Sequence, residues 1–162
     1  MQRIIRRLGV GLGIIASTLA VATLPAQAEI PDNYAGVSIQ TDDSAFGVFG
    51  KYEITEPSEQ FLDGFIDGVS ARPAVFFDGE DVNANVIVSA DKNIGGLVGL
   101  GTDLDVFAGP VIGYDSTENS DEVNVGLGLG ADYRISRRFV VNGTAILGSN
   151  DSSIRVGVGF GF

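Results

Sequence analysis

Ser153-Ile154-Arg155-Val156-Gly157-Val158-Gly159-Phe160-Gly161-Phe162 closes the chain, and its reading decides the fold. Ile154, Val156, Val158, Phe160 and Phe162 alternate with Ser153, Arg155, Gly157, Gly159 and Gly161. A period of two is the repeat of a β-strand, whose side chains point to opposite faces in turn. One face of this strand is apolar and the other is small or polar.

Read backwards from there, the alternation recurs over 139–147, 123–133, 106–114, 82–91, 69–77, 46–53 and 34–40. That makes eight strands, and none of the eight apolar faces carries a charge. Most come close to the roughly 9–11 residues that cross a bilayer at a tilt. The pattern predicts an all-β chain: an eight-stranded antiparallel up-and-down transmembrane β-barrel.

Alternation alone leaves open which face is inside, because a soluble barrel would turn its apolar face inward around a ligand. Two features point the apolar face to lipid. The opposite face carries glycine at 36, 47, 109, 113, 126, 128, 130, 157, 159 and 161. A water-facing exterior would be coated with Lys, Glu and Thr, whereas a narrow interior needs small residues to admit a few large ones. The apolar face also places its aromatics at strand ends. Phe46, Phe77 and Tyr114 lie at one rim, and Tyr52, Tyr133, Phe139, Phe160 and Phe162 at the other. Two aromatic girdles around an aliphatic band mark the two membrane interfaces. Pro73 and Pro110 each remove a ladder hydrogen bond, so a bulge or a widened pair is expected at both.

The N-terminus reads as an export signal. Arg3, Arg6 and Arg7 precede an uncharged, mostly apolar stretch over 8–24, and Ala26-Gln27-Ala28 is a small-x-small cleavage site. The expected signal peptide is 1–28 and the expected barrel domain 29–162. No Cys follows the cleavage site, since the chain has none.

Composition narrows the chemistry further. The 162 residues contain no His, Cys or Trp, and 21 Asp and Glu face 10 Lys and Arg. Nucleophile systems built on His, thiolate or imidazole metal sites, and disulfides are excluded. The net charge of −11 offers no basic footprint for nucleic acid. Acids gather on one side of the pattern, at Asp42, Asp43, Asp78, Glu80, Asp81, Asp115, Glu118, Asp121, Glu122 and Asp151, with no base among those connections. The opposite connections hold the basic turn 135–138, the Gly-rich stretch 92–105 and the longest insertion, 56–68. In the last, Phe61, Leu62, Phe65, Ile66 and Val69 recur at helical spacing behind Pro57, which suggests a short amphipathic helix over 57–66, with an irregular turn as the alternative. An even strand count puts both termini on the periplasmic side, so the acidic connections face outward.

This pattern resembles the small eight-stranded outer-membrane β-barrel family, the OmpA/OmpX type within the porin-like barrels. The likeness covers 29–162 and rests on Ala26-Gln27-Ala28, the alternation and the terminal run Val156 to Phe162. The stretches Ser70-Ala71-Arg72-Pro73-Ala74-Val75 and Gly130-Ala131-Asp132-Tyr133-Arg134-Ile135 add to it. It implies a Gram-negative envelope, with outer-membrane lipid and the outer-membrane assembly machinery as partners. Phe160 and Phe162 would form the signal that machinery reads.

Apparent motifs elsewhere fail on context. Gly126-x-Gly128-x-Gly130 lies within a strand with no helix behind it, so it is no nucleotide fingerprint. Asp115, Thr117, Asn119 and Asp121 have calcium-loop spacing, but Ser120 stands where the turn glycine belongs and no Glu closes the loop. No catalytic, cofactor or metal residues are assigned.

The charges that fall on the inward face carry more information. Lys51, Glu53, Arg72, Asp91, Asp132 and Arg155 form an expected lumen charge cluster, since buried charges are costly unless paired. Strand adjacency places Arg72 between Glu53 and Asp91, with Asp132 within reach across the lumen. The expected function is that of a non-enzymatic integral outer-membrane barrel with a surface or structural role. The rival is a narrow ion-conducting pore of the porin superfamily, for which the inward glycines would leave a thin wet path.

Overall fold

The computed structural model describes residues 32–41, 44–55, 65–79, 81–100, 103–117, 120–149 and 152–162. The export signal expected at 1–28 and most of the helix expected over 57–66 lie outside them, as do Asp42, Asp43, Glu80, Glu118 and Asp151. Phe65 and Ile66, at the end of that expected helix, are in turn and irregular backbone.

Eight strands follow one another: β1 (Tyr34–Gln40), β2 (Phe46–Thr55), β3 (Gly68–Asp78), β4 (Asp81–Asn93), β5 (Leu104–Thr117), β6 (Ser120–Arg134), β7 (Phe139–Gly148) and β8 (Ser152–Gly161). Each pairs antiparallel with the next, and β1 pairs with β8 from Tyr34↔Gly161 to Gln40↔Arg155, which closes the barrel. Closure leaves no sheet edge, the condition under which strands survive in hydrocarbon, where no water satisfies a free N–H or C=O.

The hairpin turns follow local chemistry. Asp78 pairs with Asp81, and Gly79 between them holds φ at 63°, a left-handed conformation that tight two-residue hairpins require. The β5–β6 hairpin is longer than the alternation implies. The alternation ends one strand at 114 and begins the next at 123, yet pairing continues to Thr117↔Ser120. Polar cross-strand contacts sustain it without apolar faces: Ser116 donates to Asp121 at 2.9 Å, and the Thr117 and Ser120 hydroxyls lie 3.2 Å apart.

The faces divide as expected. Val37, Val48, Val86, Ile112, Leu127 and Val158 point outward and are exposed, while Ser38, Lys51, Arg72, Ile87, Phe107 and Asp132 point inward and are buried. Phe46 faces Phe77 at the loop end, and the Phe139 and Phe160 rings meet edge to face at 5.4 Å near the termini. Tyr133 departs from its girdle neighbours. It stands on the outward face but is only 8% exposed.

Both prolines produce widened pairs without a register change. Opposite Pro73 the β2–β3 ladder skips from Phe49↔Ala74 to Tyr52↔Ala71, while Pro73↔Val86 stays paired on the other side. Opposite Pro110 the β4–β5 ladder skips from Ile87↔Val111 to Ala90↔Ala108. In each case one neighbour keeps its ladder and the other loses the bond for want of the proline N–H. The register shift itself falls elsewhere, between Glu53 and Thr55 on β2.

The strands are strongly staggered, as barrel closure demands. Tyr34, first in β1, pairs with Lys51, which stands opposite Arg72 where the ladder opens. From Arg72 the row continues through Ile87, Val111 and Gly126 to Gly148, the last residue of β7. A row that starts at one end of the barrel therefore ends at the other. Neighbours across the lumen cannot be read from strand adjacency.

Candidate functional site

The candidate site is the lumen, which the inward side chains divide into layers. Arg72 centres the layer nearer the chain termini. Its Nη1 lies 2.8 Å from Asp132 Oδ2 and its Nη2 3.1 Å from Asp91 Oδ2. Nε donates to Ser89 Oγ at 2.9 Å, Nη1 also to the Tyr34 hydroxyl at 3.1 Å, and the guanidinium carbon lies 3.6 Å from the Phe107 ring centroid. Lys51 Nζ reaches Asp91 at 3.2 Å and Asp105 at 3.7 Å.

The carboxylates are satisfied from other sides as well. Asp132 accepts from the Tyr34 hydroxyl and from Asn142 Nδ2, both at 2.7 Å. Asp91 accepts from Ser70 at 2.5 Å and Ser89 at 2.7 Å. Asp132 is fully buried, and Arg72 is 5% exposed. A buried charge network of this kind endures only because nearly every donor and acceptor has a partner. Below it, nearer the terminal end, Arg134 forms an ion pair with Asp103, both buried.

Above the charges lies an apolar layer of Ile87, Phe107, Val111 and Ile146. The inward glycines explain how large side chains fit a narrow barrel. A Cβ at Gly130 would lie 2.3 Å from Phe107 Cζ, and one at Gly128 2.7 Å from Ile87 Cδ1. Similarly, Gly157 faces the Phe49 ring, Gly159 that of Tyr34, and Gly47 that of Phe76. These glycines are seats for side chains, so the space they vacate is filled. Below Arg155 remains a void of about 20 Å³, the room of a single water, lined partly by Ser38, Asn142 and Thr144. The Ser38 hydroxyl is buried and has no hydrogen-bond partner among the described residues.

Toward the loop end the lumen widens into a vestibule of about 480 Å³. Asp78, Asp81, Asp115 and Glu122 line its walls. Asp115 accepts from both Asn83 and Asn124, which ties β4, β5 and β6 together at the mouth. Arg155 forms the floor with Asn85 and Phe76, the three being common to the vestibule and the small void. Its Nη1 donates to Asn85 at 2.8 Å, its Nε to Gln40 at 3.2 Å, and its guanidinium lies 4.3 Å from the Phe76 ring centroid.

Of the six inward charges singled out in the sequence, Lys51, Arg72, Asp91 and Asp132 come together. Arg155 and Glu53 do not join them. Arg155 belongs to the vestibule floor and is held by amide oxygens. Glu53 sits half-buried at the rim beside the register shift, its N–H donating to Asn33 at 3.1 Å. The expectation that Glu53 and Asp91 bracket Arg72 is therefore corrected. Asp132 is the second carboxylate, because barrel stagger lifts β6 to the height of Arg72. The sequence reading missed Tyr34, Asp105, Asp103 and Arg134. All four have inward parity, the same as Gly36, Phe107 and Asp132 on their strands: Tyr34 already lies within the alternation over 34–40, and extending it by one to three residues at 106 and 133 reaches Asp105, Asp103 and Arg134.

At the C-terminus, Phe160 points outward with Arg138 5.6 Å from its ring centroid. Phe162 lies one residue beyond β8, 79% exposed, with its N–H on the Asn33 carbonyl.

No family model and no curated protein sequence matches the chain. Solved structures do. One is a de novo designed transmembrane β-barrel, with a TM-score of 0.52 and 14% identity over 82% of this chain and 97% of that one. Another is the outer membrane protein Ail of Yersinia pestis in a phospholipid bilayer nanodisc, with a TM-score of 0.52 and 12% identity over 82% of this chain and 100% of that one. The fold is that of a transmembrane β-barrel. At these identities the likeness speaks for the fold alone, and the function has to be argued from the lumen and the outer face.

Proposed function

We propose that the chain is exported by its 1–28 signal, inserted into the Gram-negative outer membrane by the assembly machinery that reads Phe160 and Phe162, and acts there as a non-enzymatic barrel with a surface or structural role. The observation that carries this reading is the contrast between the two faces. The outward band is apolar, uncharged between its girdles and largely exposed, which suits lipid. The lumen is built as a core of ion pairs, rings and branched aliphatics. Eight strands enclose a space just wide enough for side chains to fill, and these side chains fill it.

The acidic vestibule opens away from the termini, so in this orientation it faces the exterior. Arg155, Asn85 and Phe76 stand between it and the small void below. That favours a surface role over the narrow conducting pore, since the glycines expected to leave a path seat side chains instead.

Planar-bilayer recording of the purified barrel tests the choice. The expected result is no unitary conductance above the bare bilayer, from a preparation that shows heat-modifiable gel migration. A steady conductance from wild-type protein would favour the pore. Recovery as a soluble periplasmic monomer would overturn the membrane reading itself.

A further inference from the structure

A groove of about 260 Å³ runs over the outward face of β5, β6 and β7, in the half nearer the chain termini. Its large walls are Leu104, Leu129 and Tyr133, and between them lie the small residues Ala131, Gly143 and Ala145. Ala131 faces Gly143 directly across the β6–β7 ladder, and Leu129 faces Ala145, so the surface is depressed where its neighbours bulge. Leu104 and Tyr133 are each only 8% exposed although both point out of the barrel. The volume falls below the roughly 300–1,000 Å³ of pockets that enclose a whole small ligand. It suits a stretch of one acyl chain.

Charge marks what that chain would belong to. Once the export signal has gone, seven Lys and Arg face 21 Asp and Glu. Lys51, Arg72, Arg134 and Arg155 are buried in the lumen, and Lys92 is held by Asp67 at 2.7 Å. Arg137 and Arg138 remain, both exposed on the β6–β7 turn that follows Ile135, itself part of the groove lining. Overall the molecule should repel anionic lipid, so an attraction can arise only at this turn.

We propose that this groove seats one acyl chain of an anionic phospholipid from the periplasmic leaflet, with its phosphate on Arg137 and Arg138. The inference rests on the outer-membrane reading. The apolar wall supplies contact along the chain, and the two arginines, on the turn two and three residues past Ile135 of the lining, select the headgroup, Arg138 turning to it from the Phe160 ring.

The test uses the full mature barrel in nanodiscs holding equal phosphatidylglycerol and phosphatidylcholine, followed by native mass spectrometry of the lipid retained on release. Wild type should retain phosphatidylglycerol over phosphatidylcholine by about fivefold for each arginine engaged. Arg137→Gln with Arg138→Gln should bring the two lipids to parity. Ala145→Leu, which fills the groove and leaves the turn intact, should abolish retention of both. Equal retention of the two lipids by wild type, or unchanged retention in both variants, would overturn the proposal. So would a dimer peak that Ala145→Leu removes, which would assign the groove to a second copy. Heat-modifiability of each sample separates the two readings: a barrel that inserts without lipid preference defeats only this inference, and one that never inserts defeats the membrane assignment.

Discussion

Replacing Arg72 by Ala isolates the central interaction of the lumen. The substitution removes the ion pairs to Asp132 and Asp91, the hydrogen bonds to Ser89 and Tyr34, and the contact with the Phe107 ring. The two acids are not left equal. Asp91 keeps Lys51 at 3.2 Å and two serine hydroxyls. Asp132 keeps only neutral donors, Tyr34 and Asn142, and it is fully buried. An uncompensated buried charge costs about 3–5 kcal/mol, and that cost should fall almost wholly on Asp132. Asp132→Asn in the Arg72→Ala background should therefore recover most of the loss, although each substitution alone is destabilising. The assay is reversible urea unfolding in phospholipid vesicles. It should be followed by far-ultraviolet circular dichroism and gel migration, because the chain has no Trp to report by fluorescence. A double-mutant cycle gives the coupling directly. A loss under about 1 kcal/mol for Arg72→Ala, or no recovery with Asp132→Asn, would refute the argument that this pair closes the lumen.

Four further outcomes follow from the same geometry. Leu127 points outward and is exposed, so Leu127→Arg should cost about 2–4 kcal/mol if it meets the bilayer midplane, and refolding titrations would show the shift. Gly130→Ala places a Cβ 2.3 Å from both the Phe107 ring and the Gly143 carbonyl oxygen, so it should lose about 1–3 kcal/mol by overpacking in the same titration. Deleting Phe162 should lower the amount reaching the outer membrane while leaving the unfolding midpoint of refolded protein nearly unchanged, since its ring is largely exposed and its backbone adds one hydrogen bond, to Asn33. At the terminal rim, burial alone would raise Asp67, but hydrogen bonds from Lys92 and the Asn93 N–H outweigh it and hold the carboxyl below its ordinary range. A carboxyl lowered on folding stabilises above its unfolded pKa and loses that contribution as pH falls through the folded one. Asp67→Asn should therefore lower stability slightly at neutral pH and flatten the acid limb, the two stability profiles converging at low pH.

How far the sequence reached depends on the length scale of each question. Strand number, strand limits to within a few residues and the side each residue faces were all legible, because the β repeat of two is local and the lipid and lumen faces differ in kind. Val123 to Tyr133 shows it: the apolar members point out and the glycines in, as the alternation demands. The widened pairs at Pro73 and Pro110 were legible too, since a missing N–H is a property of the residue itself.

The sequence by itself thus determined an eight-stranded barrel with an uncharged outer band and a charged, glycine-rich interior. Only the tertiary structure decided who meets whom inside. Stagger carries the row from Tyr34 at one end to Gly148 at the other, so lumen neighbours come from strands at equal height, which adjacency does not reveal. Asp132, from β6, took the place that strand order assigned to Glu53, and Arg155 was lifted out of the cluster to floor the vestibule. The tertiary structure also decided what the inward glycines do. The alternation cannot distinguish a glycine that leaves space from one that seats a ring, because the ring arrives from a different strand: Phe107 on Gly130, Phe49 on Gly157, Tyr34 on Gly159.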